Sequence, residues 1–414
     1  MWQNRKGYVH SLHGDTFQFE NPYAGGIYRG SPISMRTSNR DLINGIRCDN
    51  VVGGRTARQI IDYPRMKAPA PPGRCVDQIP NDGQQLPNGD TVITTFGVVD
   101  WAGNPAAGTW TTNFAAMWLS HQEDAEWYEP NPIITFPNSG RYSHFQNQSM
   151  ILWSDGNIYV FGTNGGRSAE GGIYLMRHSW EWMNDESGWQ FWGYQKPGGW
   201  SWARHNPTPI LQAANRNAAS KLGEINAQIL GGTVVLSYVD YSIGTVVTQT
   251  ALAPNAPWSP PNPQVQFAEA PMLYAPAIHP WSTLADTHFA LSQWIGAQPG
   301  TPFVMYGVRQ WHGPTTPIIP SASAARSHVL AGTGAEYYRG ELDERGYPTQ
   351  LPQGPARGVL DGVPDADKAK VLAELSGDQL SPELFQECLD LAEAGEVSPP
   401  HPAAMNSLRS GEPD

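Results

Sequence analysis

Five times along this chain a turn containing Gly, Asn or Asp leads into a β-rich run that ends in a polar or Gly cluster. The first three runs are Gly7-Tyr8-Val9-His10-Ser11-Leu12, Gly89-Asp90-Thr91-Val92-Ile93-Thr94-Thr95-Phe96 and Gly156-Asn157-Ile158-Tyr159-Val160-Phe161. The last two are Gly232-Thr233-Val234-Val235-Leu236-Ser237-Tyr238 and Asp286-Thr287-His288-Phe289-Ala290-Leu291-Ser292. Asn88-Gly89 and Asp155-Gly156 are strong hairpin turns, so an antiparallel strand is expected before each of those runs. After each run a variable loop leads to another strand, at 32–36, 114–119, 173–177, 246–251 and 303–308. Each unit therefore holds three or four antiparallel strands. The units recur at roughly 55 to 80 residues, longer than the usual propeller repeat of about 40 to 50, so long loops are inserted. The expected fold is all-β: a five-bladed β-propeller with a C-terminal extension containing short helices.

The propeller is expected over residues 1–320, a Pro/Gly-rich linker over 321–356, and a helical hairpin with a disordered tail over 357–414. The two helices of that hairpin are read at 365–376, stopping before Gly377, and at 381–394, with Ser381 as N-cap and Pro382 at the first helical position. Blade one is odd, because only Met1 to Lys6 remains to form its first strand. Either the C-terminal portion lends a strand, or the chain was cut from a longer polypeptide.

Composition agrees with many short strands and shaped loops: 43 Gly, 37 Pro and 16 Trp, with only 15% charged residues. Net charge is −12 with no run of Lys or Arg, which excludes the electrostatic footprint of a nucleic-acid binder. No stretch reaches the ~18 unbroken apolar residues of a membrane span. The N-terminal Met1-Trp2-Gln3-Asn4-Arg5-Lys6 lacks the apolar segment of a signal peptide. Cys48, Cys75 and Cys388 have no metal-ligand spacing and are expected as buried free thiols. No cofactor or metal is called for.

In a propeller blade the end of the second strand and the start of the first lie on one rim. That rim should collect Asp15, Asp100 with Trp101, Asn164 to Arg167, Asp240, and Gln293 with Trp294. It also receives Asp77, His144, Glu224 and Tyr274, which precede first strands. Carboxylates converging on a funnel are what glycoside hydrolysis needs, one as acid and the other as base or nucleophile. Asp15, in His13-Gly14-Asp15, is the leading candidate, with Asp77 and Glu224 as possible partners; the glycine before Asp15 suggests close backbone approach. Each carboxylate also reads as an ordinary turn or strand-end residue. Asp240, His13, His144 and Arg167 are candidates for binding sugar hydroxyls or steadying a carboxylate, and Trp101, Tyr274 and Trp294 for stacking on sugar rings. A phosphate loop, a Ser nucleophile elbow and paired His ligands of a zinc enzyme are missing.

His13-Gly14-Asp15-Thr16-Phe17, Asn157-Ile158-Tyr159-Val160-Phe161-Gly162-Thr163, Gly223-Glu224-Ile225 and Ser292-Gln293-Trp294 resemble, in order, the signature segments of the domain of unknown function 4185 family. The likeness covers roughly residues 7 to 312. It implies a five-bladed propeller acting as an endo-D-arabinanase of glycoside hydrolase family 183, on the arabinan of mycobacterial arabinogalactan and lipoarabinomannan. The family occurs in actinobacteria and their phages. The lack of an export signal favours the phage branch: a tail component assembled with other tail proteins, meeting the wall polysaccharide from outside. The alternatives are a secreted protein, and a non-catalytic carbohydrate-binding or structural tail propeller.

Overall fold

A computed structural model describes residues 1–18, 27–52, 57–61, 77–104, 109–122, 125–166, 171–195, 199–218, 221–271, 273–295 and 305–315. The linker and helices expected beyond residue 315 lie outside the described residues, as do Cys75 and Cys388. Five antiparallel sheets follow one another along the chain, in the order of the five repeats. Helix among the described residues is confined to three short 3-10 turns. The described residues form an all-β five-bladed propeller.

Blade one is ordered Trp2–Gln3, Val9–His13, Ile33–Thr37 and Asn50–Val51. Its first strand comes from the N-terminal residues themselves, Trp2 pairing with His10 and Gln3 with Val9. Blade two is Asp77–Gln85, Thr91–Asn104, Thr109–Ser120 and Ile134–Pro137. The long segment that follows Phe96 is a continuation of its central hairpin. Blade three carries more strands than the sequence suggests: Asn147–Leu152, Asn157–Thr163, Gly172–Ser179, Gln190–Gln195 and Gly199–Ala203, with Leu211–Gln212 also on the third strand. Blade four is Leu222–Leu230, Thr233–Asp240, Thr245–Ala251 and Asn262–Gln266. Blade five has three strands, Leu273–Ile278, Thr287–Ile295 and Met305–Gly313.

Central strands read as continuous apolar runs because both of their faces are covered. In Thr233–Asp240, Val234, Leu236 and Tyr238 face blade three, while Val235 and Val239 face blade five. In Asn157–Thr163, Ile158 and Val160 pack toward blade two, and Tyr159 and Phe161 toward blade four. Trp2, Ile93, Phe114 and Trp118 fill the seam between blades one and two. There the Trp2 ring lies so close to Gly83 that a Cβ at that position would overlap it. The seam between blades five and one is thinner among the described residues, with Met1, Val9 and Ala290 as its buried apolar members. Polar bonds supplement it: Trp281 Nε1 donates to Gln3 Oε1 at 3.0 Å, and Gln310 Nε2 to the Leu42 carbonyl at 2.6 Å.

The inner strands are tied together around the axis through Asp82. Its carboxylate accepts from the Ser149 hydroxyl of blade three and from Asn226 Nδ2 of blade four at 3.2 Å. Asn226 Oδ1 in turn accepts from the Ile278 amide of blade five at 2.8 Å. The Met1 ammonium lies 3.1 Å from the other Asp82 oxygen. Cys48 corrects one expectation: it is exposed, in the stretch leading to the outer strand of blade one, where no core covers it.

Candidate active site at the axial rim

Strand polarity sets which residues share the rim. The second strands of the blades end, and the first strands begin, at the same end of the propeller, so side chains distant in sequence converge there. Asp15 follows Val9–His13 in a turn closed by the Thr16 hydroxyl, which donates to the Gly14 carbonyl at 2.9 Å. Gly14 is not forced by crowding: an added Cβ would meet Ile79 at 3.7 Å, ordinary van der Waals contact. The close approach expected of this glycine is therefore not a requirement of the site.

Asp77 opens the inner strand of blade two and is only 4% exposed. Its carboxyl lies within hydrogen-bonding reach of Asp15. The Gln78 amide donates to Asp77 Oδ1 at 2.7 Å, and the Ser31 hydroxyl also touches the carboxyl. Two carboxyls in contact hold a proton between them, since two bare carboxylates repel. Burial first, and then the neighbouring Asp15 charge, push the Asp77 pKa up to about 7. On the other side of Asp15, the Tyr28 hydroxyl donates to Oδ1 at 2.8 Å. Sequence reasoning reached Asp15 and Asp77 but missed Tyr28 and Ser31. Neither lies in a strand run or a recognisable motif, and a hairpin pairing Thr16–Phe17 with Tyr28–Gly30 is what returns Tyr28 to Asp15.

Glu224 reaches the rim from the inner strand of blade four, at an irregularity in pairing between Leu222 and Ile225. The Thr163 hydroxyl of blade three donates to the Gly223 carbonyl at 3.4 Å, fixing this backbone against its neighbour. Glu224 is half-buried, with Oε2 enclosed. His144 ends a 3-10 turn, stacks on Tyr174 at 4.1 Å between centroids, and bonds through Nδ1 to Asn164 Oδ1 at 2.9 Å. Tyr274 is half-buried near the start of the blade-five inner strand.

Two further candidates sit at the expected strand ends but face inward. His13 bonds to Ser11 Oγ at 2.9 Å, and burial, then the Met1 ammonium, push its pKa down to about 4. It is therefore a neutral imidazole at neutral pH. Asp240 is 2% exposed and accepts from the Ala214 amide at 2.7 Å, the Ser242 amide at 3.0 Å and the Ser242 hydroxyl at 2.5 Å. That pattern anchors the neighbouring loop and leaves Asp240 turned away from the funnel, in place of the sugar-facing role expected of it. Burial raises its pKa to about 6. Arg167 lies outside the described residues, as do the side chains of Trp101 and Trp294, whose backbones continue the second strands of blades two and five.

At the opposite end, Asp286, His288 and His312 offer donor atoms all within 4.8 Å of one another. His312 Nδ1 lies 2.8 Å from Asp286 Oδ1, and His288 Nε2 lies 3.2 Å from Oδ2. Gln310 sets the tautomer of His288. Its Oε1 accepts from the Ile46 amide at 2.6 Å, so its Nε2 must be the group facing His288 Nδ1 at 3.0 Å. His288 then accepts at Nδ1 and carries its proton on Nε2, where a metal would have to bind. A cavity of about 330 Å³, lined by Gln3, Asn4, Arg5 and Gln85 among others, also opens at this end, away from the carboxylates.

Among proteins of known sequence, the chain is 29% identical over 231 residues to notoamide biosynthesis cluster protein J′ of Aspergillus versicolor, covering 54% of this chain and 59% of that one. It is 30% identical over 212 residues to protein J of Aspergillus sp. strain MF297-2, covering 50% and 52%. The chain thus spans just over half the length of these relatives. Among solved structures it is similar to an α-L-arabinofuranosidase from Clostridium thermocellum, at 10% identity and TM-score 0.41, covering 74% of this chain and 91% of that one. A GH43_1 enzyme from Xanthomonas citri gives 11% identity and TM-score 0.40 over 73% and 87%. Likenesses this distant say nothing of what this chain acts on. The domain of unknown function DUF4185 spans residues 1–312, three quarters of the sequence, and the chain belongs to that family.

Proposed function

We propose that this protein is a glycoside hydrolase that cleaves D-arabinofuranosyl linkages in the arabinan of mycobacterial-type cell walls, as a depolymerase associated with a phage tail. The observation that carries the hydrolase reading is the Asp15–Asp77 pair: two carboxyls in contact at the rim, one nearly buried with its pKa raised to about 7. The substrate rests on the resemblance of the signature segments, and the tail role on the occurrence of the resembled family in actinobacterial phages.

The pair is too close to be the acid and nucleophile of a glycosidase, whose carboxyls stand about 5 to 5.5 Å or about 6.5 to 9.5 Å apart. It works as a unit. Asp15, half-exposed, supplies the carboxylate that meets the sugar or its attacking water, and the proton held on Asp77 keeps the two from repelling. Glu224, from blade four, is the acid for the leaving oxygen. That contact distance also favours a second reading, a propeller that binds the polysaccharide without cutting it.

Incubation with purified arabinogalactan, followed by analysis of released oligosaccharides, decides between them. Arabinan fragments support the hydrolase. Binding without products supports the receptor reading, and neither binding nor products removes both. Mass spectrometry of purified virions tests the tail assignment, which falls if the chain is absent from the particle.

A further inference from the structure

Tyr28 stands at the start of the short strand Tyr28–Gly30, on the hairpin that follows the Asp15 turn. Its hydroxyl is 2.8 Å from Asp15 Oδ1, yet its side chain is not enclosed: the residue is 47% exposed. Phe17 lies beside it with ring centroids 5.3 Å apart, and Tyr306 of blade five meets Phe17 edge-on at 6.0 Å. An aromatic surface thus adjoins the carboxylate pair, with one phenol pointing its proton into that pair.

The direction of that hydrogen bond bears on where the shared proton sits. An oxygen that accepts the phenolic proton is favoured as a carboxylate oxygen, and a donor to one member of a pair favours the anion on that member. Asp77 accepts from the Gln78 amide and meets the Ser31 hydroxyl, but it is nearly buried, and burial, which favours its neutral form, is the larger influence. Burial at Asp77 and the phenol at Asp15 push the proton the same way.

We propose that Tyr28 is a positioning residue, holding Asp15 as the carboxylate and leaving the proton to Asp77, while its ring and that of Phe17 form the wall on which the sugar next to Asp15 stacks. This rests on the reading of the pair as glycosidase machinery. The stacking follows from chemistry, since the C–H face of a furanosyl or pyranosyl ring is apolar and lies flat on an aromatic plane. One residue thereby couples substrate seating to the charge state of the reacting carboxylate.

Infrared difference spectroscopy on protein labelled with ¹³C-aspartate reads the protonated carboxyl directly, without any substrate. A band from the shared proton is expected in the wild type and lost in Asp77→Asn. In Tyr28→Phe the band should persist to higher pH by about one unit, because every deprotonated form of the pair has lost a donor. An unmoved band overturns the positioning role, whatever the substrate is. On arabinogalactan fragments, Tyr28→Phe should keep KM, lower kcat roughly tenfold and move the acid limb of the pH profile upward. Tyr28→Ser should raise KM as well, and an unchanged KM overturns the stacking wall. If the wild type cuts no arabinan but the band shift is present, the Tyr28–Asp15 coupling stands and the arabinan assignment falls.

Discussion

Asn226, on the inner strand of blade four, donates its side-chain amide to Asp82 of blade two across the propeller axis at 3.2 Å. The same Asp82 oxygen accepts from the Ser149 hydroxyl and, at 3.3 Å, from the Met150 amide. One buried carboxylate therefore holds blades two, three and four in register, and Asn226 passes the connection to blade five through the Ile278 amide. The funnel at the rim depends on this ring, because each candidate residue there sits at the end of a strand the ring fixes.

Asp82→Ala leaves the amide of Asn226, the hydroxyl of Ser149 and the Met150 N–H without an acceptor in a buried site. The expected loss is about 3 kcal/mol of folding stability or more, against about 2 kcal/mol for Ser149→Ala, which removes one donor to Asp82 and the acceptor of the Ala227 amide. Urea unfolding of the two variants measures both. Equal losses would show that Asp82 is not the hub of the ring.

Asp15→Asn keeps the shape of the side chain but can neither accept a proton nor attack. Turnover on arabinan should fall by about 10²-fold or more, with the melting temperature and oligosaccharide binding nearly unchanged. Calorimetry and product analysis on one preparation check this. Full activity would reduce Asp15 to a turn residue.

The carboxyls of Asp77 and Asp240 carry folded-state pKa values raised by burial to about 7 and about 6. In the unfolded chain both ionise near pH 4, as an ordinary Asp does at about 3.9. Between those limits the folded protein holds protons that the unfolded chain has released. Stability should therefore fall as pH rises from about 4 to about 7, then level off. Asp77→Asn removes its share of that slope, so the variant should gain on the wild type at about pH 8 relative to about pH 4. Urea midpoints at the two pH values test it, and an identical difference at both would reject the raised pKa.

Blade count and order were legible because the repeat survives in short alternating or all-apolar runs, such as Val234-Val235-Leu236, whose two faces are both covered. Asp15, Asp77 and Glu224 were legible as strand-end acids, and the structure brings the first two into contact. Asp240 occupies the same kind of position, yet its carboxylate turns inward to Ala214 and Ser242. A strand end fixes the backbone, but a loop decides where the side chain points. Tyr28 was illegible for the same reason. Its bond to Asp15 depends on a hairpin of two short strands that leaves no periodic signal. The first strand of blade one was confined to Met1 to Lys6 but not fixed within it, because two residues, Trp2 and Gln3, are too few to show alternation.

The seam between blades five and one has little buried apolar surface among the described residues, which puts weight on Gln310. Its amide bonds the Leu42 carbonyl and the Ile46 N–H of blade one, as well as His288 of its own blade. Gln310→Ala should cost about 2 kcal/mol and open this seam first. Hydrogen exchange read by mass spectrometry should show faster exchange in the loop around Leu42 and Ile46 than in the strands of blade three. Uniform acceleration across all blades would mean that the ring opens as a whole.

Asp286, His288 and His312 have the donor types of a zinc site, but Gln310 makes His288 Nδ1 an acceptor and so places the ring proton on Nε2. Zn²⁺ would have to displace that proton, leaving the Gln310 amide facing an N–H. The wild type should therefore show no rise in melting temperature on adding Zn²⁺. Gln310→Glu reverses the logic. A carboxylate accepts from the Ile46 amide and from a proton on Nδ1, which frees Nε2 for the metal beside Asp286 and His312. That variant should lose stability without metal, because the Leu42 carbonyl loses its donor, and regain part of it as Zn²⁺ is added. A wild type stabilised by Zn²⁺ as strongly as the variant would show that the Gln310 amide does not hold the tautomer.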